Sequence, residues 1–318
     1  MKKRIFALVA LVLMFACVLS ACGAAGTKMT MGTGGTSGTY YAFGGALGQQ
    51  IKNSTGMTVN VVSTDGSKAN ILGINSGDYQ LGTVQSDVMS YAWEGSRSFE
   101  EEGALDSFRV IGGLYAEAVQ LVTMDASIQS VADLAGKKVS IGAAGSGVYF
   151  NAIDVLGAAG LTEADIVPQY QSFADSADAL KDGKIDAAFI VAGAPTPAIT
   201  ELCTTNSAYL VPIDGEVADA LMAACPFYTT YTVPAGTYAG QEADVTTVTV
   251  KATLIVSADA SEDDVYALTA AIFDNVDAIT SAHAKGAELS LENATTGMTA
   301  PFHAGAAKYF AEKGITVE

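Results

Sequence analysis

The stretch Gly32-Thr-Gly-Gly-Thr-Ser-Gly-Thr-Tyr-Tyr41 is a glycine-rich turn that joins a predicted strand, Met29-Thr-Met31, to a predicted helix, Thr39–Lys52. Glycine lets the backbone come close to a ligand, and the free N–H groups at the start of a helix attract anions. In open α/β sheets, ligands bind outside the carboxyl ends of the strands, which is where such a turn lies. The stretch therefore predicts an α/β fold with a ligand-binding turn.

A second turn of the same kind, Gly142-Ala-Ala-Gly-Ser-Gly147, lies between a predicted strand, Lys138–Ile141, and a predicted helix, Val148–Ala159. Two such turns in different halves of the chain could hold one anionic group from opposite sides. Either turn alone could be an ordinary loop with no binding function. Because both turns occur at equivalent places between a strand and a helix, this alternative is disfavoured.

Strand and helix patterns alternate along the rest of the chain. The other predicted strands are Thr58–Ser63, Tyr79–Val84, Arg109–Gly112, Val119–Met124, Ile185–Val191 and Val248–Val256. The other predicted helices are Asn70–Ser76, a helix capped by Ser86 or Asp87, Ser176–Leu180, and Ser261–Ser281 with Ser261 as its cap. This alternation favours α/β layers with largely parallel sheets.

Two linker signals divide the chain into lobes. They lie near Tyr115–Ala118 and near Val233–Asp244, and the second is rich in proline and glycine. Two crossings imply that the chain leaves the first lobe, builds the second and returns. We therefore predict a first lobe at 29–115, a second lobe at 116–240, and a return to the first lobe with C-terminal helices at 241–318.

Several kinds of enzymatic site are not supported by the motifs. Ser37 occupies the position of the third glycine of the dinucleotide motif, and no Gly-Lys-Ser/Thr sequence follows either turn. Ser37 and Ser146 do not lie in Gly-x-Ser-x-Gly elbows. His283 and His303 have no cysteine partner at metal or catalytic spacing. We therefore expect no catalytic residue, no metal ion and no cofactor.

The N-terminal segment predicts export and a lipid anchor. Lys2-Lys-Arg4 precedes the 15-residue apolar run Ile5–Leu19, which is too short to span a bilayer and suits a signal peptide. Leu19-Ser-Ala-Cys22 resembles a bacterial lipobox, so 1–21 is predicted to be cleaved, Cys22 to be lipidated and 22–28 to be a flexible tether. The alternative is an ordinary secretory signal in which Cys22 is incidental. Either way, the protein is expected outside the cytoplasmic membrane.

The composition of the remaining chain is strongly acidic. Removal of 1–21 leaves 13 of the 16 basic residues against 34 acidic ones, a formal net charge of −21. Such a chain repels nucleic acid and anionic membranes, so membrane contact is expected through the lipid anchor only. The remaining 297 residues suit about two domains, and no later apolar stretch is long enough to span a bilayer. We expect a monomer.

Two cysteines other than Cys17 and Cys22 remain, Cys203 and Cys225. Outside the cell they could form a disulfide that stabilises the fold by about 3 kcal/mol. The alternative is a pair of free thiols that behave as small apolar residues. The disulfide is the slightly favoured interpretation.

An ordered set of motifs resembles the TAXI proteins, which are the solute-binding components of one branch of the TRAP transporters. The first motif is Gly34-Gly-Thr-Ser-Gly-Thr-Tyr-Tyr41 followed by Gly44-Gly-Ala-Leu47. The others, in chain order, are Gly66-Ser-Lys-Ala-Asn70, Ile74-Asn-Ser-Gly-Asp78, Leu81-Gly-Thr-Val-Gln-Ser-Asp87, Leu114-Tyr-Ala-Glu117, Gly145-Ser-Gly147 with Asn151, Asp186-Ala-Ala-Phe189, Ala192-Gly-Ala-Pro195, Pro226-Phe-Tyr228, Pro234-Ala-Gly-Thr-Tyr238 and His303-Ala-Gly-Ala-Ala307. The resemblance covers about Met29 to Ile315.

The resemblance implies a two-lobed α/β fold of the type II periplasmic-binding-protein kind, with a ligand cleft that closes by a hinge between the lobes. It implies capture of glutamate, glutamine or another small carboxylate, and delivery of that solute to a sodium-driven TRAP membrane subunit. Ala116 and Gln120 depart from the proline and histidine that are common in the family. The first departure would loosen the hinge, and either would alter the substrate preference.

The residues themselves argue against an arginine clamp on the ligand. Arg97 falls in a polar loop and Arg109 starts a predicted strand, at the end away from the cleft. Hydroxyls, amides and helix N-termini are therefore the candidate ligand contacts. The predicted binding residues are Thr36, Thr39, Tyr40, Ser67, Asn70, Gln85, Tyr115, Ser146, Gly147, Val148, Ala192, Gly193 and Pro195.

Structural roles are the alternative for several of these residues. Thr36, Ser67 and Ser146 could cap helices, and Asn70 could satisfy backbone groups. Glu117 could hold a ligand ammonium group or pair with a lysine, and it is not among the predicted binding residues. The alternative functions are a binding lipoprotein that serves another transporter or a membrane sensor, and a surface hydrolase. The hydrolase lacks a nucleophile–histidine pair in the sequence.

Overall fold

The computed structural model describes residues 26–318 and shows one ten-stranded mixed sheet with helices packed against it. The predicted signal peptide, the lipidation site at Cys22 and most of the predicted tether lie outside the described residues. The N-terminal strands lie at one end of this sheet, and strands from the middle of the chain lie at the other end.

The first lobe begins with three parallel strands, each followed by a helix. These elements are β1 (Lys28–Gly32), α1 (Thr39–Thr55), β2 (Thr58–Val62), α2 (Ser67–Asn75), β3 (Leu81–Gln85) and α3 (Ser86–Glu94). The first glycine-rich turn joins β1 to α1, as the sequence predicts. The predicted caps Ser86 and Asp87 lie instead in the first turn of α3, whose N-cap is Gln85.

Helix α1 illustrates how the sequence specifies this lobe. Phe43, Leu47 and Ile51 recur every four residues, so they share one face, and all three are fully buried in the core of the first lobe. The helix ends at Gly56, whose φ of 76° is a left-handed conformation that glycine adopts without steric cost.

The second lobe repeats the strand–helix pattern. Its elements are β5 (Lys138–Ser140), α4 (Val148–Ala158), β6 (Val167–Gln169), α5 (Phe173–Lys181), β7 (Ala187–Ala192), α6 (Pro197–Thr205), β8 (Tyr209–Val211), α7 (Gly215–Ala224) and β9 (Thr229–Val233). β5 pairs in parallel with both β6 and β7. The second glycine-rich turn joins β5 to α4, again as the sequence predicts.

Two long antiparallel strands connect the lobes. β4 (Phe108–Thr123) pairs with β10 through Ala118 and with β7 from Ala118 onward. The sequence predicts two separate strands here, Arg109–Gly112 and Val119–Met124, and the structure shows one. The residues between them, including Tyr115, are almost all buried, so the strand continues through the sheet. Because β4 and β10 are antiparallel, the sheet is mixed, and the prediction of largely parallel sheets holds only for the outer strands.

The return to the first lobe runs along β10 (Val245–Ser257). Its first part, Val245–Thr249, pairs with β9, and its last part, Ala252–Val256, pairs with β3. The segment Val233–Asp244, which the sequence suggests as a linker, contains the connection between the antiparallel neighbours β9 and β10. The second crossing therefore lies in β10, beyond the predicted position.

The C-terminal helices complete the first lobe. They are α8 (Glu262–Phe273), α9 (Val276–Ala282), α10 (Leu291–Thr295) and α11 (Ala304–Glu312). Ser261 caps α8, since its hydroxyl accepts a hydrogen bond from the Asp264 N–H at 3.1 Å. The predicted single helix Ser261–Ser281 is wrong, because the chain breaks at Asp274 and Asn275 between α8 and α9. No helix of the described part of the chain is long and apolar enough to cross a membrane.

The two remaining cysteines are free thiols. Cys203 is buried in α6, among apolar residues of the second lobe, and Cys225 is half-buried just after α7. The disulfide that the sequence slightly favours is therefore not formed, and both residues pack as small apolar side chains.

Candidate functional site

A cavity of about 370 Å³ lies between the two lobes. Residues of the first glycine-rich turn, the β2–α2 turn and β3 form one wall, and residues of the second lobe form the other. The lining residues are Gly34, Gly35, Thr36, Ser37, Gly38, Thr39, Tyr40, Ser63, Thr64, Asp65, Gly66, Ser67, Gln85, Glu117, Ala143, Ser146, Gly147, Val148, Gln171, Ser172, Phe173, Ala174, Val191 and Ala192. The volume suits a small organic molecule.

Four helices begin at this cavity. The first residues of α1 and α2 line it from the first lobe, and those of α4 and α5 line it from the second. In three of these helices no side chain caps the N-terminus, and only Ser172 of α5 does so. The positive ends of four helix dipoles therefore face one space, which favours a negatively charged ligand group.

A carboxylate and a phenol form a buried pair on the cavity wall. The Tyr40 hydroxyl donates a hydrogen bond to Glu117 Oε2 at 2.6 Å. Burial raises the pKa of Glu117 to about 8, although the hydrogen bond from Tyr40 lowers it; nearby Asp87 raises it and Lys285 lowers it. Burial also raises the pKa of Tyr40, with a further contribution from Glu117. The pair is polar, yet it carries little net charge at neutral pH.

Direct hydrogen bonds hold the lobes together around the cavity. The Thr39 hydroxyl donates to the Gly193 carbonyl at 2.8 Å. The backbone N–H of Lys68 donates to the Gly145 carbonyl, and that of Ala198 donates to the Ser37 carbonyl, both at 3.1 Å. These bonds join residues of the first lobe to residues of the second, so the structure is a closed form.

A side-chain network closes the lobes on the side of Gln85. Its Nε2 donates to Asn151 Oδ1 at 2.7 Å, and Asn151 Nδ2 donates to Asp87 Oδ2 at 3.0 Å and to the Tyr228 hydroxyl at 2.7 Å. Gly147 lies directly against this glutamine, because a Cβ at that position would lie 1.4 Å from Gln85 Oε1. Only glycine allows this approach of the two lobes.

Nine of the predicted binding residues line the cavity: Thr36, Thr39, Tyr40, Ser67, Gln85, Ser146, Gly147, Val148 and Ala192. Five of them also bond within the fold through their side chains. The bonds of Thr39, Tyr40 and Gln85 are given above, the Ser146 hydroxyl donates to the Ala143 carbonyl, and the Ser67 hydroxyl accepts from the Gln85 N–H. Their role in ligand binding stays a prediction.

Four of the predicted binding residues do not line the cavity. Asn70 is buried and donates to the Thr33 and Thr83 carbonyls, so it joins β1 and β3. Tyr115 packs edge-on against Phe43, with ring centroids 5.0 Å apart. Gly193 accepts the bond from Thr39, and Pro195 follows it in the loop before α6. These four residues therefore lie outside the cavity lining.

The sequence prediction missed several lining residues. Glu117 is the buried carboxylate among them. Its position two residues after Tyr115, in a segment predicted to connect the lobes, could have identified it as a lining residue. The segment Gln171-Ser-Phe173 joins β6 to α5, and it is a third strand–turn–helix connection that lacks the glycines of the other two. Asp65 lies exposed on the rim.

The two departures from the TAXI pattern lie outside the cavity lining. Gln120 is buried, and its Nε2 donates to the Thr196 hydroxyl at 2.9 Å within the second lobe. The backbone N–H of Ala116 donates to Glu288 Oε2 at 2.8 Å, which ties the connecting strand to the C-terminal segment. Any effect of these residues on ligand choice is therefore indirect.

The histidines have structural contacts. His303 Nδ1 accepts from the Gly305 N–H and so caps α11, while its Nε2 lies 3.1 Å from the Ala260 carbonyl. His283 Nδ1 accepts from the Lys285 N–H. Among residues 26–318, no group of three or more His, Cys, Asp or Glu side chains is arranged to hold a metal ion.

The chain combines a two-lobed α/β fold with a cavity between the lobes, and comparison of its sequence with family models identifies its family. Residues 31–314 match the NMT1-like family, which is most of the chain. The protein belongs to this family.

Solved structures share the fold at low sequence identity. The alkanesulfonate-binding protein SsuA of Xanthomonas axonopodis pv. citri, bound to MOPS, is 18% identical over 92% of each chain, with a TM-score of 0.52. A putative L-cystine ABC transporter protein of Listeria monocytogenes is 19% identical over 83% of this chain and 98% of its own, with a TM-score of 0.51. A structure from a study of glutathione import through GshT and the cystine importer TcyBC in Streptococcus mutans is 13% identical over 87% and 98%, with a TM-score of 0.53. The predicted two-lobed fold is thus confirmed.

Proposed function

We propose that this protein is a solute-binding receptor that acts outside the cytoplasmic membrane and closes its two lobes around a small molecule. The observation that carries the proposal is a cavity walled by both lobes, which are connected by two strands and joined across the cleft by hydrogen bonds. A ligand that contacts both walls stabilises the closed form relative to an open one. We propose no enzymatic activity.

The proposed ligand is a small carboxylate, such as glutamate, glutamine or a similar amino acid. Four helix N-termini face the cavity, and they can bind a carboxylate without a basic side chain. The structural relatives named above are described with sulfonate or amino-acid-derived solutes, and those molecules carry an anionic group. The anionic group that these solutes share supports an anionic group in the ligand of this protein, and the calorimetric test below addresses which molecule carries it.

The proposed partner is an integral-membrane subunit of a TRAP-type transporter, to which the lipid-anchored receptor delivers its solute. The motif resemblance supports this partner, whereas two of the structural relatives come from ABC-transporter work. A receptor for another transporter or a sensor remains the alternative. The experiment that distinguishes these partners measures solute uptake in membrane vesicles that contain the receptor and its neighbouring membrane protein. Uptake through a TRAP partner requires a sodium gradient, whereas uptake through an ABC partner requires ATP.

Calorimetry on the purified protein tests the capture function. The protein is first unfolded and refolded to remove carried solute, and it is then titrated with L-glutamate and L-glutamine. We expect one saturable site, together with about 2.7 kcal/mol of added stability at a ligand concentration 100 times the dissociation constant. Thr36→Trp should abolish the heat, because the exposed turn tolerates the ring while the cavity does not.

Thr230→Trp is the matched control, since Thr230 is exposed and lies outside the cavity lining. This variant should bind as the unmodified protein does. No heat with either amino acid would remove these two ligands from the proposal, and mass spectrometry of the protein before refolding would then identify any carried solute. The absence of any bound solute, together with no response to small carboxylates, would contradict the capture function itself.

A further inference from the structure

We propose that Glu117 receives a protonated amino group of the ligand, so that the receptor selects solutes that carry an amine beside their carboxylate. The inference rests on the proposed capture function and adds the chemical group by which the ligand is chosen.

Glu117 is placed to act on the ligand. It lies on β4, in the part that connects the lobes, and it lines the cavity although only 2% of its surface is exposed. Tyr40 donates one hydrogen bond to Oε2. A carboxylate can accept about four hydrogen bonds, so it has capacity for a ligand group with several donors.

The lysine nearest to this carboxylate is engaged elsewhere. Lys285 Nζ pairs with Glu288 Oε1 at 2.5 Å and lies 5.9 Å from the ring centroid of Tyr115. Among residues 26–318, no basic side chain lies within ion-pair distance of Glu117. The alternative that the sequence left open, a structural pair with a lysine, is therefore not what the structure shows.

The environment of Glu117 in the empty cavity favours a cationic ligand group at that place. Burial is the largest cause that raises the pKa of Glu117 to about 8, so the empty site holds a proton at neutral pH. An ionised carboxylate that is buried without a partner is unfavourable, and an ammonium group removes that cost. The groups around it are Tyr40 from α1, Tyr115 on its own strand, Asp87 from α3, and Lys285 with Glu288 from the C-terminal segment.

The rest of the lining agrees with a ligand that has both charges. The lining residues include no lysine, arginine or histidine, and a second carboxylate, Asp65, lies on the rim. The side-chain oxygens of Gln85 and Gln171 are buried without a donor among the described residues. The helix N-termini take the ligand carboxylate, and Glu117 takes the amine. An anionic solute with no amine leaves Glu117 unpartnered.

Binding should release a proton. The neutral Glu117 carboxyl loses its proton to solvent when the ammonium group binds, and the resulting carboxylate accepts the N–H donors. Below the pKa of about 8, affinity should rise with pH, because the fraction of empty sites in which Glu117 is already ionised increases with pH. Burial raises the pKa of Asp87 to about 6, so Asp87 is mostly ionised between pH 6.5 and 7.5. In that window, affinity should rise about tenfold per pH unit.

The test pairs amino acids with their des-amino acids. The purified, refolded protein is screened by thermal unfolding against the proteinogenic L-amino acids and, for each, the carboxylic acid without the α-amino group. We expect stabilisation only by amine-bearing members. For the best of them, Glu117→Gln should weaken binding about 10- to 100-fold, as expected for a charge-assisted hydrogen bond. Glu242→Gln is the control, since Glu242 is exposed and outside the lining, and it should change nothing.

Calorimetry at pH 6.5 in phosphate and in imidazole, two buffers with different enthalpies of ionisation, measures how many protons binding releases. We expect about one proton released per ligand by the unmodified protein and none by Glu117→Gln. Tyr40→Phe provides a second variant that keeps the carboxylate. Because the Tyr40 hydrogen bond lowers the pKa of Glu117, this variant should shift the pH dependence of binding upward.

Two outcomes would overturn the proposal while the capture function stands. One is a des-amino acid, or a carried solute with no basic nitrogen, that binds as tightly as any amine. The other is a folded Glu117→Gln variant that keeps both its affinity and its proton release. If no compound stabilises the protein and no solute is carried, the capture function fails and this inference fails with it.

Discussion

The ion pair between Arg97 and Asp154 should set how tightly the lobes close. Arg97 follows α3 in the first lobe, and Asp154 lies on α4 in the second. Arg97 Nη2 lies 2.6 Å from Asp154 Oδ1, and the guanidinium also lies over the rings of Tyr91 and Phe150, at 5.0 and 5.4 Å from their centroids. None of these residues lines the cavity. The pair therefore acts on closure and not on the ligand.

The backbone of Arg97 supports this role. Its φ of 49° is in the left-handed region, which residues other than glycine adopt at a cost. The turn is held in that conformation while the side chain reaches the other lobe. Opening of the cleft separates the two charges and removes this contact.

The magnitude follows from the burial of the two partners. The Asp154 side chain is 8% exposed and that of Arg97 is 32% exposed, so the pair lies between a surface ion pair and a buried one. Surface pairs contribute about 0.2–1 kcal/mol and hydrogen bonds to charged groups about 1.5–3 kcal/mol. We take about 1–1.5 kcal/mol for Asp154→Asn. Ligand affinity should then fall about 5- to 12-fold.

Calorimetry with the tightest-binding solute measures this effect. The control is Lys184→Gln, which breaks an ion pair with Asp182 inside the second lobe, where both side chains are more than half exposed. The control should bind within twofold of the unmodified protein. Arg97→Gln combined with Asp154→Asn should weaken binding by less than the sum of the two single effects, because the two changes share the ion pair. A folded Asp154→Asn variant with unchanged affinity would refute the reasoning.

Three further predictions concern packing. Gly147→Ala should abolish tight ligand binding, measured by calorimetry, because its Cβ would lie 1.4 Å from a side-chain oxygen of the other lobe; Gly157→Ala on the same helix meets nothing within 4 Å and should bind normally. Asn70→Ala should lower the free energy of unfolding in urea by about 2–4 kcal/mol, since it removes the two buried hydrogen bonds to the Thr33 and Thr83 carbonyls, whereas Asn53→Ala on the surface should change little. Reducing agent should leave the melting temperature unchanged, because both cysteines are free; a fall of several degrees would reveal a disulfide.

The sequence predicted the parts of the fold that local chemistry determines. Each glycine-rich turn lies between the strand and the helix that its flanking residues predict, and Ser261 caps α8 through its own hydroxyl. These features depend on residues a few positions apart. Six of the nine predicted residues that line the cavity do so for the same reason, since they belong to or flank these turns: Thr36, Thr39, Tyr40, Ser146, Gly147 and Val148.

The features that the sequence did not predict depend on residues far apart in the chain. β4 reads as two strands because glycines interrupt its apolar pattern, and only pairing with β10 and β7 makes it one. Asn70 looked like a ligand contact, but its amide joins carbonyls of two neighbouring strands. The role of Glu117 stayed open because the lysine that could have paired with it lies in the C-terminal segment and binds Glu288.

Unpaired polar atoms in the closed form favour closure around a ligand over closure of an empty cleft. In the closed form, Gln85 Oε1, Asp87 Oδ1 and the Tyr115 hydroxyl are buried without a partner among the described residues. Each such atom costs on the order of 1–3 kcal/mol, while each hydrogen bond across the cleft contributes about 0.5–1.5 kcal/mol. The bonds between the lobes therefore about balance the cost of burying these groups. In the proposed capture function, a solute that adds contacts to both walls shifts the balance to the closed form, and this difference between the empty and the loaded protein is what a membrane partner would recognise.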